Sequence, residues 1–254
     1  MVAVALFSGV DPGGQAGVAA DLHACFANGA RGLPIVCGRT VQGDGQFIAA
    51  WPTQAAELAL VLAMLTAEPV AAAKTGMLGS IANLRAAAAW AKQRGVPLVV
   101  DPVARTTSGG WLYPQEQEGA VRGALLRDLL PAAAVVTPNW HELAWLTSSK
   151  PATTERELAA QAARLPCPAW VKGGHAPLSL AGQDWLWTGA ALIAQPPRLP
   201  WPTTPRGTGC RLATAIAIGL GTGLDLSAAG AQAERWLDAW ARQTAGPMES
   251  KTIS

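Results

Sequence analysis

The sequence predicts an α/β fold: a central, mostly parallel sheet with helices on both faces. Three observations carry this. Short β-like apolar runs alternate with helix-patterned segments along most of the 254 residues, the order that gives a parallel sheet. Half of the residues are hydrophobic and only 14% are charged, enough apolar material for strands buried on both faces. The β-like runs also open, at their carboxyl ends, into polar or glycine-rich sequence, and in an open parallel sheet ligands bind beyond those ends.

Taken in order, residues 2–7 form an apolar run that reads as the first strand, and 15–28 read as a helix. A second strand is expected at 33–37, with Arg39, Thr40 and Gln42 in the loop that follows. Residues 57–66 are helical, 70–73 a strand, 81–94 a helix and 96–100 a strand. A loop leads to a helix at 118–129 and a strand at 133–136. Helices at 141–146 and 155–165 precede a strand at 169–172. Residues 184–187 and 191–194 read as a hairpin around Thr188-Gly189, and helices at 209–220 and 227–243 close the chain. No Ser/Gly-rich linker or internal repeat interrupts this order, so residues 1–245 are expected to form one domain, with 246–254 a polar, frayed tail.

Composition narrows the function classes. The 19 basic and 17 acidic residues nearly balance and form no basic stripe, which argues against a nucleic-acid partner. The longest apolar helical stretch, around Leu58 to Leu65, is too short to cross a membrane, and residues 1–9 lack the basic flank of a signal peptide. Cys25, Cys37, Cys167 and Cys210 have no metal or redox-motif spacing and read as free thiols of a reducing compartment. A soluble, cytoplasmic protein is expected. The eleven tryptophans follow no repeat; core and edge packing is expected for most, with some at a subunit contact.

The segment Arg206-Gly207-Thr208-Gly209-Cys210 is the sharpest chemical signal. Small residues let backbone N–H groups converge, and the helix start adds partial positive charge, which together suit an anion. The same field is expected to lower the Cys210 thiol pKa. A glycine-rich loop that merely lets a helix pack closely is the alternative.

Elsewhere, Gln42 offers one acceptor beside two donors, which matches an amino group next to a ring nitrogen; a solvated loop glutamine is the alternative. Asp101 and Glu142 are carboxylates at neighbouring strand ends, and Mg2+ favours one or two carboxylates with waters and phosphate oxygens; an ion pair and a helix-capping role are the alternatives. Lys172, followed by two glycines, is placed to bring an ammonium to a phosphate or to lie at the surface. Asp11 and Asn139 read equally as turn or N-cap residues, and His175 as a loop hydrogen-bonding residue. Neither a P-loop nor a dinucleotide fingerprint is present.

Over nearly its whole length the chain resembles the hydroxymethylpyrimidine/phosphomethylpyrimidine kinases of thiamine biosynthesis, in the ribokinase-like superfamily. The residues that carry the resemblance are Ser8-Gly9-Val10-Asp11-Pro12-Gly13-Gly14-Gln15-Ala16-Gly17 with Ala20-Asp21-Leu22, Thr40-Val41-Gln42, Lys74-Thr75-Gly76-Met77-Leu78, Asp101-Pro102-Val103, Thr137-Pro138-Asn139 with Glu142, Val171-Lys172-Gly173-Gly174-His175, and Gly207-Thr208-Gly209-Cys210. The resemblance implies a three-layer α/β/α domain, a homodimer, and phosphorylation of 4-amino-5-hydroxymethyl-2-methylpyrimidine or its monophosphate with ATP and Mg2+. It implies that Gln42 grips the aminopyrimidine edge and that Gly9, Asp21, Met77 and Val103 line the pyrimidine pocket. Asp101 and Glu142 would lie near the metal, and Asn139, Lys172, Arg206 and Thr208 near ATP phosphates. Gly207, Thr208 and Gly209 would form an anion hole, and Cys210 would stand where sugar kinases of the superfamily carry an aspartate base. Two departures stand out: Thr107 where the family usually has a lysine, for which Arg105 is a possible substitute, and Arg206 where it usually has a histidine. These bear on the second phosphorylation. A pyridoxal-type kinase, or a pyrimidine-binding protein without catalysis, is the alternative reading.

Overall fold

The computed structural model describes residues 1–43, 45–106, 108–177 and 180–244. Thr107 and the tail 246–254 lie outside them. Nine strands form one sheet, β1 (Ala3–Val10), β2 (Arg31–Gly43), β3 (Gln46–Pro52), β4 (Ala72–Thr75), β5 (Leu98–Val100), β6 (Val135–Val136), β7 (Ala169–Val171), β8 (Trp185–Trp187) and β9 (Leu192–Ala194). Their order across the sheet is β3-β2-β1-β4-β5-β6-β7-β8-β9. The six strands from β2 to β7 in that order are parallel, and β3, β8 and β9 are antiparallel additions at the two edges.

Alternation along the strands sorts side chains between two cores. Ala3, Ala5 and Phe7 of β1, with Leu98 and Val100 of β5, face the core beneath α2 (Ala55–Met64), α3 (Ile81–Arg94), α4 (Glu118–Ala124), α5 (Trp140–Leu146) and α6 (Glu155–Ala162). Val4, Leu6, Val99, Val135 and Trp170 face the other, beneath α1 (Gly17–Ala27), α7 (Thr208–Gly221) and α8 (Leu226–Thr244). This is the expected three-layer α/β/α arrangement. Trp90, Trp140, Trp170 and Trp185 are buried in it, whereas Trp51 on β3 is exposed.

Four local expectations are corrected. Residues 39–43 are not a loop: β2 runs on beyond the parallel sheet to Gly43 and pairs antiparallel with β3, Thr40 opposite Ala50. β3 itself was hidden in sequence because Phe47 to Trp51 is too short and too irregular in polarity to show a period. Lys74 lies inside β4 and not after it. The first helix starts at Gly17 because the Asp11 carboxylate collects the N–H groups of Gly13, Gln15 and Ala16 at 3.0–3.2 Å, a local turn that competes with helix. The helix expected at 118–129 loosens into a π-helical turn at Leu125–Leu129 and a 3-10 turn at Leu130–Ala132, where Pro131 has no N–H to continue an α-helical ladder.

Candidate active site

The carboxyl ends of the parallel strands and the start of α7 enclose a cavity of about 1060 Å³. Gly9, Asp11, Gln42, Met77, Val103 and Cys210 line it, together with Asp101, Asn139, Glu142, Lys172 and the turn Arg206–Gly209. Every residue expected in the site thus meets this one space except Asp21.

Asp21 is a correction. It lies behind the wall, fully buried, and its carboxylate is consumed there. Lys74 donates to both of its oxygens at 2.9 and 3.0 Å, Thr214 of α7 donates at 2.9 Å, and Ser8 of β1 donates as well. Lys74 and Ser8 occupy positions of β4 and β1 whose neighbours on that face are apolar, so the two strands deliver a polar knot into the α1/α7 core. Burial is the largest single influence and lowers the Lys74 pKa, but the charge and hydrogen bond of Asp21, with Cys210 and Asp101, together outweigh it and hold the ammonium protonated.

Gln42, on the extended end of β2, donates from Nε2 to Oδ1 of Asp11 at 3.1 Å. A carboxylate only accepts, so this contact fixes which end of the carboxamide carries nitrogen. One Nε2 hydrogen and the carbonyl oxygen remain to meet a ligand.

Asn139 is the N-cap of α5. Its side chain accepts from the N–H groups of His141 and Glu142, and Glu142 accepts in return from the Asn139 N–H, a reciprocal capping box. The capping alternative for these two residues therefore holds, and both still border the cavity. Lys172, at the end of β7, donates to Oδ1 of Asp101 at 2.8 Å and stands 3.7 Å from Oε2 of Glu142. Burial disfavours the Lys172 ammonium, but Asp101 and Glu142 outweigh it and hold the charge. Burial pushes the Glu142 carboxyl up to about 7; Lys172 opposes the shift and Asp101 adds to it. Two nearly buried carboxylates sharing one ammonium are short of positive charge, and this donor set suits Mg2+, which takes one or two carboxylates with water and phosphate oxygens.

The anion-hole turn has a stereochemical basis. Gly207 is the N-cap of α7 with φ +75°, a conformation that costs any other L-residue. A Cβ there would overlap the carbonyl oxygen of Gln15 and fall 2.6 Å from Nη1 of Arg211. A Cβ on Gly209 would lie 3.1 Å from Nζ of Lys172, so the missing side chains let the turn approach both the β1–α1 loop and the ammonium.

The expected lowering of the Cys210 pKa is overturned. Burial pushes the thiol up to about 11; the nearby Lys74 charge and the Gly17 N–H only partly offset it. Arg105 also borders the cavity, where it pairs with Glu118 at 2.9 Å and lies 5.1 Å from the Trp111 ring.

The sequence model described as phosphomethylpyrimidine kinase matches residues 11–252. The chain belongs to the phosphomethylpyrimidine kinase family. A hydroxymethylpyrimidine/phosphomethylpyrimidine kinase of Rhizobium meliloti (strain 1021) is 35% identical over 94% of this chain and 90% of its own. The thiamine biosynthesis multifunctional protein ThiED of Corynebacterium glutamicum is 33% identical over 91% of this chain, which spans 30% of that longer protein. Among solved structures, phosphomethylpyrimidine kinase from Clostridium difficile 630 aligns with a TM-score of 0.78 at 23% identity, covering 94% of this chain and 99% of that one. An ADP complex of Bacillus subtilis pyridoxal kinase aligns with a TM-score of 0.79 at 24% identity, covering 92% and 90%. At these identities the structures share the fold, which is ribokinase-like. Like its family, the chain is a kinase.

Some residues of this kinase's site escaped sequence reasoning. Arg211, Asp184 and Arg198 were not singled out, although each is a charge inside or beside an apolar run. Arg211 is buried and donates from Nη1 to the carbonyls of Gln15 and Arg206, both at 3.0 Å. Asp184 accepts from Arg198 at 2.7 Å and from the Gly173 N–H at 2.8 Å, and both it and Arg198 border the cavity. Among the described residues no helix is long and apolar enough to cross a membrane.

Proposed function

We propose that this chain uses ATP and Mg2+ to phosphorylate 4-amino-5-hydroxymethyl-2-methylpyrimidine, its monophosphate or both, in thiamine biosynthesis. The observation that carries the reading is Gln42: a carboxamide oriented by Asp11 and facing the same cavity as the Gly207–Gly209 turn. Its free N–H and carbonyl oxygen match a ring nitrogen and the adjacent amino group, a pairing worth about 1–3 kcal/mol of discrimination. Gly9, Met77 and Val103 supply the apolar wall for the ring.

Phosphoryl transfer passes through a loose transition state, so positioning and charge neutralisation matter most. Backbone N–H groups of the anion-hole turn take the equatorial oxygens as charge develops. Lys172 brings positive charge to the phosphates. Asp101 and Glu142 would hold Mg2+, which would supply charge neutralisation at the phosphate oxygens. Cys210 starts as a thiol, so it does not deprotonate the alcohol in advance. The hydroxymethyl oxygen becomes acidic only as its bond to phosphorus forms and the bond to ADP breaks, and its proton then passes, beside Cys210, to an oxygen of the transferred phosphoryl group. Asp21 acts from behind the wall, holding Lys74 against the α1/α7 core beneath that cysteine.

The pyridoxal kinases that share the fold support the second reading, a heterocyclic alcohol of the pyridoxal type. Initial rates with the pyrimidine, its monophosphate and pyridoxal decide between them. The pyrimidine reading requires kcat/KM to be higher for the pyrimidine than for pyridoxal; the reverse order overturns it. The assembly is read as a homodimer: β3 is an unpaired edge, and Ile48 and Trp51 on it, with Leu60 and Met64 of α2, are exposed apolar side chains. Sedimentation velocity would give a monomer if this is wrong.

A further inference from the structure

A second cavity, of about 350 Å³, lies beyond the anion-hole turn and is lined by Gln15, Thr203, Arg206, Arg211, Trp240 and Thr244, with Gly14 and Pro205. Among the described residues its lining holds two guanidinium groups and no carboxylate. Arg206 makes no ion pair among the described residues.

Arg211 is the more telling of the two. Its relative exposure is 7%. Nη1 is satisfied by the carbonyls of Gln15 and Arg206, and the guanidinium carbon lies 4.2 Å from the ring centroid of Trp240. Among the described residues Nε has no hydrogen-bond partner and no carboxylate pairs with the group. Of the two groups that favour its charge, Cys210 is a thiol held protonated by burial, and Asp21 already satisfies Lys74, Ser8 and Thr214. A buried cation is costly unless an anion compensates it, and burial accordingly pulls Arg211 below its ordinary pKa. Two carbonyls and an indole face solvate the guanidinium without neutralising it.

We infer that this second cavity binds a phosphate group, free or as the ester of a small alcohol, through Arg206 and Arg211 with the hydroxyls of Thr203 and Thr244. Arginine is the side chain suited to phosphate, through its fork of N–H donors. Because Arg211 also ties the β1–α1 loop to the anion-hole turn, an anion here stabilises the turn from outside the catalytic cavity. The inference does not depend on which alcohol the kinase phosphorylates.

The test must keep phosphate out of the catalytic cavity, so thermal unfolding is followed with saturating Mg2+ and a non-hydrolysable ATP analogue. Inorganic phosphate and glycerol 3-phosphate are titrated separately. The Tm of the native protein should rise saturably, by about 3–6 °C at a tenfold excess over Kd, and the tighter ligand identifies the free or esterified form. Thr244→Glu places a carboxylate in the cavity without touching the catalytic residues. It should raise Tm in the absence of phosphate, abolish the response to either ligand and leave kcat unchanged. Arg211→Gln should lose the response as well. A native protein that responds to neither ligand, or a Thr244→Glu protein that responds as the native one does, overturns the inference.

Discussion

Replacing Gly207 with alanine should separate phosphoryl transfer from pyrimidine binding. The backbone there is left-handed, φ +75°, which costs an L-residue roughly 1–2 kcal/mol. The new methyl would also overlap the Gln15 carbonyl and press on Arg211, and overpacking of this kind adds about 1–3 kcal/mol. The sum, about 2–5 kcal/mol, corresponds to a fall in Tm of roughly 4–20 °C for a chain of this length. Relief of the overlap moves the turn away from the β1–α1 loop and swings its N–H groups off the phosphate. Losing one such donor costs about 10²–10³ in kcat. Gln42, Met77 and Val103 stand on other elements, so KM for the pyrimidine should change only a few-fold. Steady-state kinetics and a thermal melt on the same preparation measure both effects. A variant with native kcat, or one whose KM rises while kcat holds, refutes the assignment of this turn to transition-state stabilisation.

Two further predictions concern the buried charges. Lys74→Met leaves Asp21 ionised and unpaired in the α1/α7 core and should cost about 3–5 kcal/mol in urea unfolding; adding Asp21→Leu should recover much of that loss, and no recovery would mean that the pair is not the source. Glu234 of α8, whose carboxyl burial and the neighbouring Asp184 push up to about 9, gives a pH signature. The folded protein keeps this proton while the unfolded chain releases it near the ordinary carboxylate value. Stability contributed by the protonated form is therefore lost as pH rises from there through about 9. Glu234→Gln should unfold at a higher Tm than the native protein at pH 8–9, with the gap narrowing toward pH 5; a gap independent of pH contradicts the assignment.

The layered fold was legible because burial on both faces of a parallel sheet leaves short, nearly continuous apolar runs, and β1, β5 and β7 show them. The chemistry was legible because Asp101 and Lys172 directly follow an apolar run, Asn139 comes soon after one, and Gly207–Cys210 open the apolar helix α7. What could not be read depended on residues distant in sequence. Asp21 looked like a wall residue until Lys74, 53 positions away, took its carboxylate. Cys210 looked activated because a helix start is a local feature, whereas the burial that raises its pKa is supplied by the whole fold. Arg211 was concealed by an apolar helix, and its carbonyl partner, Gln15, lies 196 positions away. β3 was missed because an edge strand with an exposed face has no strict alternation, and its pairing with the end of β2 placed Gln42 on a strand instead of in a loop.

The central claim is that one cavity presents the pyrimidine alcohol to the anion-hole turn. A crystal structure of the complex with Mg2+, a non-hydrolysable ATP analogue and 4-amino-5-hydroxymethyl-2-methylpyrimidine tests it most directly. The account predicts the amino edge on Gln42, the hydroxymethyl oxygen beside Cys210 and within about 3.5 Å of the terminal phosphorus in line for attack, and phosphate oxygens on the N–H groups of Gly207–Gly209. A pyrimidine bound away from Gln42, or a terminal phosphate that does not reach the turn, contradicts it.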